Sequence, residues 1–306
     1  MGRRRKGQAV NGWLVLDKPE GITSTKAVGR VRYLFDAAKA GHAGTLDPLA
    51  TGVLPIAFGE ATKTVPFAVG GIKTYRFTVR FGAETDTDDA EGTITETSTL
   101  RPTEAKIAAV LPGFTGEIEQ VPPRFSAIKV DGARAYDLAR EQENFELEER
   151  RVSIDRLRLI GMRDEDRGVF EAICGKGTYI RALARDIGRA LQCLGHVEDL
   201  RRCQVGAFLE DDAVTLDDVE RAAHEGRDAL LALLRPIQMP LSDLLAIPVT
   251  PSDAANLRQG RAILLKGPDA PIAEGAVYAV SKGRLVALGA VKQGEFCPSR
   301  VFNLPE

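Results

Sequence analysis

Residues 74–82, TYRFTVRFG, alternate cleanly: Tyr75, Phe77, Val79 and Phe81 fall on one side of an extended chain, and Arg76, Thr78 and Arg80 on the other. A period of two belongs to a strand. One apolar face and one charged face mark a half-buried antiparallel strand, since strands of a parallel sheet are apolar on both faces. Such a strand needs partners. VSIDRLRLIGM (152–162) and VFEAICG (169–175) read as strands joined by the charged turn RDEDRG. GWLVL (12–16) reads as a short buried strand ended by Asp17-Lys18-Pro19, and VLPIAFG (53–59) and a stretch near 196–207 also read as strands. Helical spacing predicts a helix capped by Ser24 or Thr25 and running to about 36, others over EATKTVPFAV (60–69) and near 103–111 and 134–141, and a strongly amphipathic one over TYIRALARDIGRALQ (178–192). Two more fall at 216–226 and 228–234. Strands and helices mixed without βαβ regularity give an α+β fold with a mixed, largely antiparallel sheet.

A Pro-punctuated linker, RPIQMPLSDLLAIPVTP, spans 235–251, and beyond it the pattern turns to short strands with turns at Gly267-Pro268, Gly275 and Gly283. That divides the chain into residues 1–246 and a small β-rich module, 247–306. An apolar fraction of 44% with 27% charged residues suits a globular core, and no run approaches the roughly 18 apolar residues of a membrane span. MGRRRKGQAVNGWLVLDKP has a basic start but no apolar run of signal-peptide length, so no secretory signal is expected. Cys174, Cys193, Cys203 and Cys297 form no C-x-x-C pair, and His42, His196 and His224 are scattered. A zinc site or a disulfide framework is therefore not expected, and the free thiols suit a reducing cytoplasm. The net charge of −2 gives no support to nucleic-acid binding, which needs only a local basic face; Arg3-Arg4-Arg5-Lys6 is either such a face or a solvated tail.

The most informative stretch is GHAGTLDPLATG, 41–52. Gly41, Gly44 and Gly52 open backbone conformations closed to other residues, and Pro48 disfavours helical geometry at Asp47. The outcome is a shaped loop presenting Asp47 between apolar segments that anchor it. ETDTDDAEG, 84–92, reads as a solvated acidic loop. Its carboxylates share spacing with the start of an EF-hand, but the required Gly and the bidentate Glu at position 12 are missing. Taken alone, Tyr75 is as well explained as a core aromatic, and Arg181 as a helix surface charge.

GHAGTLDPLATGVL resembles the catalytic motif of the TruB family of tRNA pseudouridine synthases. GWLVLDKPEGITS (12–24), KTYRFTVRFGAETDTDDAEG (73–92), QVPPRFSAIKVDGARAYDLAR (120–140), CGKGTYIRALARDIG (174–188) and HVEDLRRCQVGAF (196–208) resemble further family blocks, in order. The resemblance implies a catalytic Asp47, a base-stacking Tyr75, and Arg181 paired with the aspartate. It implies that Lys18 supports the site, that Tyr179 and Leu200 contribute to the pocket, and that His42 helps hold the substrate loop open. It also implies a tRNA substrate, the T-loop uridine at position 55, with the base flipped out and no cofactor. The 247–306 segment resembles a PUA domain, a small RNA-binding fold, and carries seven basic against five acidic residues. Archaeal and eukaryotic relatives work with guide RNA and partner proteins. The absence of a long lysine-rich tail from this sequence points to the stand-alone bacterial kind, a monomer without guide RNA.

Two other readings compete. A retaining glycoside hydrolase would need a second carboxylate in a comparable motif, and activity on tRNA against sugar substrates separates the two. A catalytically silent tRNA-binding protein is separated by a product assay. With no ligand cluster in the sequence, EDTA is expected to leave turnover of RNA uridine unchanged; a loss restored by one added metal would overturn the cofactor-free reading.

Overall fold

The computed structural model describes residues 7–126, 128–130, 133–134, 145, 147–265 and 275–304. The basic run at 3–6, the turn at Gly267-Pro268 and, apart from Arg134, the helix expected near 134–141 lie outside them. The large unit runs β1 (Gly12–Lys18), α1 (Ser24–Leu34), β2 (Ala40–His42), β3 (Thr51–Phe58), α2 (Val65–Gly70), β4 (Lys73–Phe81), β5 (Ala83–Thr85), β6 (Ile94–Thr97), α3 (Glu104–Val110), β7 (Gly116–Gln120), β8 (Lys129–Val130), β9 (Ala133–Arg134), β10 (Arg150–Met162), β11 (Arg167–Cys174), α4 (Ile180–Ala190), β12 (Gly195–Val205), β13 (Phe208–Leu209), β14 (Val214–Thr215), α5 (Leu216–Glu225) and α6 (Arg227–Ala232). The remainder is β15 (Leu245–Pro248), α7 (Pro251–Arg258), β16 (Ile263–Leu264), β17 (Ala276–Ser281), β18 (Arg284–Lys292) and β19 (Glu295–Val301).

Ten strands form one sheet in the order β14-β1-β3-β12-β4-β11-β10-β7, with β2 alongside β3 and β13 alongside β12. Only the β1–β14 and β3–β12 pairs are parallel, so the sheet is mixed and largely antiparallel as expected. The alternating segment is β4, flanked along its length by β11 and β12. Its apolar face joins the main core, where Phe77 stacks on Phe170 at 5.5 Å between ring centroids and packs with Leu183 and Ile187 of α4. Arg76 and Arg80, on the other face, stay exposed.

Three elements depart from the sequence reading. Helix α1 is capped by Thr23, whose hydroxyl accepts from the Lys26 amide at 3.2 Å, not by Ser24 or Thr25. The stretch at 60–69 breaks into a 3-10 turn, Gly59–Lys63, and the short α2. The C-terminal segment is not strands alone: α7 is capped by Thr250, accepting from the Asp253 amide at 3.1 Å, with Pro251 in its first turn. A proline costs nothing there, because the first amides of a helix have no partner within it. No described helix is long and apolar enough to cross a membrane.

The smaller five-stranded sheet, β15-β17-β18-β19-β16, is not hung on a free linker. Leu285, Leu288 and Phe302 are buried in one cluster with Trp13, Val15, Val53, Phe208, Ile237 and Leu241. The Trp13 indole donates at 3.2 Å to both the Thr64 hydroxyl and the Ile237 carbonyl, and Lys63 Nζ donates to the Val301 carbonyl at 2.7 Å. Removing residues 247–306 would therefore uncover part of the large unit's core. Phe302→Ala is expected to cost about 3–5 kcal/mol in denaturant unfolding, the range for a buried aromatic cut to alanine. A change under about 1 kcal/mol would show that the two units do not share a core.

Candidate active site

The loop between β2 and β3 carries Asp47, and several of its backbone groups are held by side chains from other elements. Ser24, free of capping duty, accepts from the Leu46 amide at 2.8 Å and donates to the Leu46 carbonyl at 2.9 Å. The Pro48 carbonyl takes the Gly21 amide at 2.9 Å and Lys18 Nζ at 3.2 Å. Lys18 spends its other two donors on the Pro19 and Ile22 carbonyls, each at 2.8 Å. Burial pulls the Lys18 ammonium down to about 8, against the opposing pull of the Asp47 carboxylate. Arg202, from β12, donates to the carbonyls of Gly44 at 3.1 Å, Thr45 at 3.3 Å and Val53 at 2.9 Å. Gly52 sits at φ +98°, and a Cβ there would come within 2.2 Å of the Arg202 carbonyl oxygen, so only glycine lets β3 meet β12 at this point.

Asp47 faces α4. Arg181 Nε lies 3.0 Å from Asp47 Oδ2, and its Nη1 lies 3.3 Å from Asp89 Oδ2. The same guanidinium donates to the Thr87 carbonyl at 2.9 Å and the Phe125 carbonyl at 2.8 Å. One helical turn on, Arg185 pairs with Asp88 at 2.9 Å and donates to the Val121 carbonyl at 2.8 Å; one turn further, Arg189 makes two 2.7 Å bonds to Glu84. The 84–92 loop is thus only partly solvated, contrary to its sequence reading: Asp86 and Glu91 are exposed, but three of its carboxylates are not. Glu84, Asp88 and Asp89 are buried, and residues 181, 185 and 189 share one helix face that meets them. Burial pushes the Asp88 carboxyl up to about 6 and raises Asp89 as well, with Arg185 pulling the first back and the Thr87 hydroxyl and Arg181 the second.

A cleft of about 290 Å³ opens over Asp47. Five of the sequence-derived site residues line it together: Asp47, Tyr75, Tyr179, Arg181 and Leu200. Tyr75 stands beside Ala172 on one neighbouring strand and Arg202 on the other, and burial raises its phenol, keeping it neutral. Tyr179 is fixed through its backbone: the Gln120 side chain accepts from its amide at 2.9 Å and donates to its carbonyl at 3.2 Å. Lys18 and His42 do not line the cleft. Lys18 is wholly buried beneath the loop, and His42 sits on β2 opposite Ile56, its imidazole pushed down by burial and by Arg202.

The sequence reading gave no role in the site to Ser24, Asp89, Gln120 or Arg202. For Arg202 a signal was present: in a strand, Arg201 and Arg202 must point to opposite faces, so one of the two faces the core.

The comparisons agree with this architecture. The family model described as TruB family pseudouridylate synthase (N terminal domain) matches residues 32–180, and that described as tRNA pseudouridylate synthase B C-terminal domain matches 181–245. A protein of Bradyrhizobium diazoefficiens named tRNA pseudouridine synthase B is 57% identical over 98% of this chain and 88% of its own length. One of the same name from Brucella anthropi is 50% identical over 99% of each chain. Among solved structures, a Cbf5-Nop10-Gar1 complex contains a chain 26% identical, with a TM-score of 0.72 over 95% of this chain and 84% of that one. An H/ACA RNP bound to a substrate RNA shares the fold, with a TM-score of 0.74 at 24% identity over 99% of this chain and 92% of that one. With both family models matched in sequence from residue 32 to 245, and relatives at half identity or more along nearly its whole length, the chain belongs to the TruB family of pseudouridylate synthases.

Proposed function

We propose that this protein isomerises the T-loop uridine at position 55 of tRNA to pseudouridine, acting in the cytoplasm as a stand-alone monomer without guide RNA. The observation that carries the reading is the Asp47–Arg181 pair at 3.0 Å in a cleft lined by Tyr75. The reaction breaks the bond from C1′ to N1 of uracil and makes one from C1′ to C5; C5 gives up a proton and N1 gains one, so substrate and product are isomers. An ionised carboxylate serves as nucleophile, on the ring or on the sugar carbon, or stabilises a cationic sugar. Arg181, 3.0 Å away, fixes the direction of that carboxylate. A flipped base needs an aromatic face, which Tyr75 offers from the rigid centre of the sheet. Leu200 and Tyr179 bound the pocket. Lys18 holds the catalytic loop from beneath, and His42 helps keep the substrate loop open from the neighbouring strand. Residues 1–246 form the catalytic unit and 247–306 a PUA-like RNA-binding module.

Asp47→Asn is expected to abolish pseudouridine formation while tRNA binding persists. Arg181 keeps Asp89 and two carbonyls when Asp47 is neutralised. Folding should therefore suffer by only about 1–2 kcal/mol, the loss of one charge-assisted bond. Thermal melting, filter retention and nucleoside chromatography of the tRNA check the three parts. A folded Asp47→Asn protein turning over near the normal rate would remove Asp47 from the chemistry.

Tyr75→Leu keeps much of the apolar volume and loses the flat face. Turnover should fall about tenfold to a hundredfold, in line with the roughly 1–3 kcal/mol of base–aromatic stacking. A normal rate in a folded Leu variant would make Tyr75 a packing residue only.

A further inference from the structure

Three cations line the same cleft as Asp47, and among the described residues none of them forms an ion pair with a carboxylate: Lys73, Lys176 and Arg202. This is unusual in a chain whose other cleft cation, Arg181, touches two carboxylates. Arg202 is 2% exposed and donates to three backbone carbonyls and to the Tyr75 hydroxyl. Lys73 is 7% exposed, and its Nζ donates to the Val69 and Gly71 carbonyls, closing the end of α2. Of its three ammonium hydrogens, one is left for something else. All three line the one cleft, and burial lowers the Lys73 ammonium, with Arg202 and Lys176 lowering it further. Lys176 is exposed at the cleft rim between Gly175 and Gly177, and Gly177 has φ +88°. A glycine on each side leaves the backbone room for a ligand to come close.

Gathering like charges costs free energy unless an anion joins them. We propose that Lys73 and Lys176, backed by Arg202, form an anion subsite that holds a phosphodiester of the RNA strand next to the flipped uridine. The inference rests on the RNA-modifying reading of the cleft and deepens it. Asp47 and Tyr75 take hold of the base, and this subsite takes hold of the backbone that must swing as the base leaves its stack. A phosphate fixed there selects the swung-out backbone, so it contributes to flipping as well as to affinity.

The test uses Lys176, the exposed member, whose replacement threatens the fold least. The full-length protein, Lys176→Ala and Lys176→Arg are compared on a T-arm stem-loop RNA. A second RNA carries single uncharged methylphosphonate linkages on the 5′ or 3′ side of the target uridine. Lys176→Ala is expected to raise Kd and KM about tenfold, the size of one charged hydrogen bond. It should also lower the slope of log K against log salt by about one. Lys176→Arg should restore most of both. At one of the two linkages, methylphosphonate should weaken the wild-type protein by a similar factor and Lys176→Ala little further. An unaltered Kd and salt slope in Lys176→Ala, or full additivity of the variant and both modified linkages, would overturn the subsite. Should the wild-type protein form no pseudouridine, the reading of its activity falls, while the salt slope and the non-additivity in binding still decide the subsite.

Discussion

The buried guanidinium of Arg181 is the constraint on which the rest of the site depends. An arginine cannot shed its charge, so burying one obliges the fold to surround it with acceptors. Here they come from three separate stretches of chain: Asp47 from the loop before β3, Thr87 and Asp89 from the acidic loop, and Phe125 from the segment after β7. Each of those stretches is irregular and would be free to wander alone. Their common acceptor role ties them to one helix, and the next two arginines repeat the arrangement with Asp88 and Glu84. Helix α4 thus acts as a spine, and the cleft wall is hung from it. Because Asp47 is the most exposed of the carboxylates bound to this spine, at 38% for its side chain, it is the one left open to a substrate.

On the opposite side of the loop the logic is that of carbonyl groups. A loop this close to the core must find donors for its buried oxygens or lose several kcal/mol. Ser24, Lys18 and Arg202 supply them, each from a different element. Two of these donors are full charges, which makes the bonds stronger than neutral ones and less able to slip. The loop is therefore held on one side through its acidic side chain and on the other through its main chain. The freedom left to the Asp47 carboxylate is small, as a group that must meet a substrate in one orientation requires.

Much of this was legible before any coordinates. Periodicity identified β4, β10, β11 and α4, because long segments with one buried face leave a clear mark. The Gly- and Pro-punctuated stretch around Asp47 read as a shaped loop for the same local reasons that shape it. What was not legible was pairing at a distance. The acidic loop read as solvated because acidic runs generally are, and nothing within 84–92 reveals that three arginines about a hundred residues later will fold onto it. Yet the spacing of Arg181, Arg185 and Arg189 was itself a signal: three cations on one face of a helix that is otherwise buried need partners somewhere. Gln120 and Ser24 left no such mark, since a single amide or hydroxyl looks alike whether it faces water or a backbone.

The shared core between the two sheets carries the argument from the site to the whole molecule. Trp13 and Val15 lie on β1 and Val53 on β3, whose other faces and ends lead directly to Lys18 and the Asp47 loop. The same residues pack against Leu285, Leu288 and Phe302 of the small module. A module joined by a flexible linker could raise local substrate concentration but could not set an angle. One joined through a packed apolar layer presents its surface in a fixed direction relative to the cleft, because packed interiors do not deform continuously. An RNA held by that surface would meet Asp47 in one register, so the distance between grip and chemistry would act as a ruler along the substrate. Selection of a single uridine would then come from the rigidity of strands β1 and β3 as much as from the cleft over Asp47.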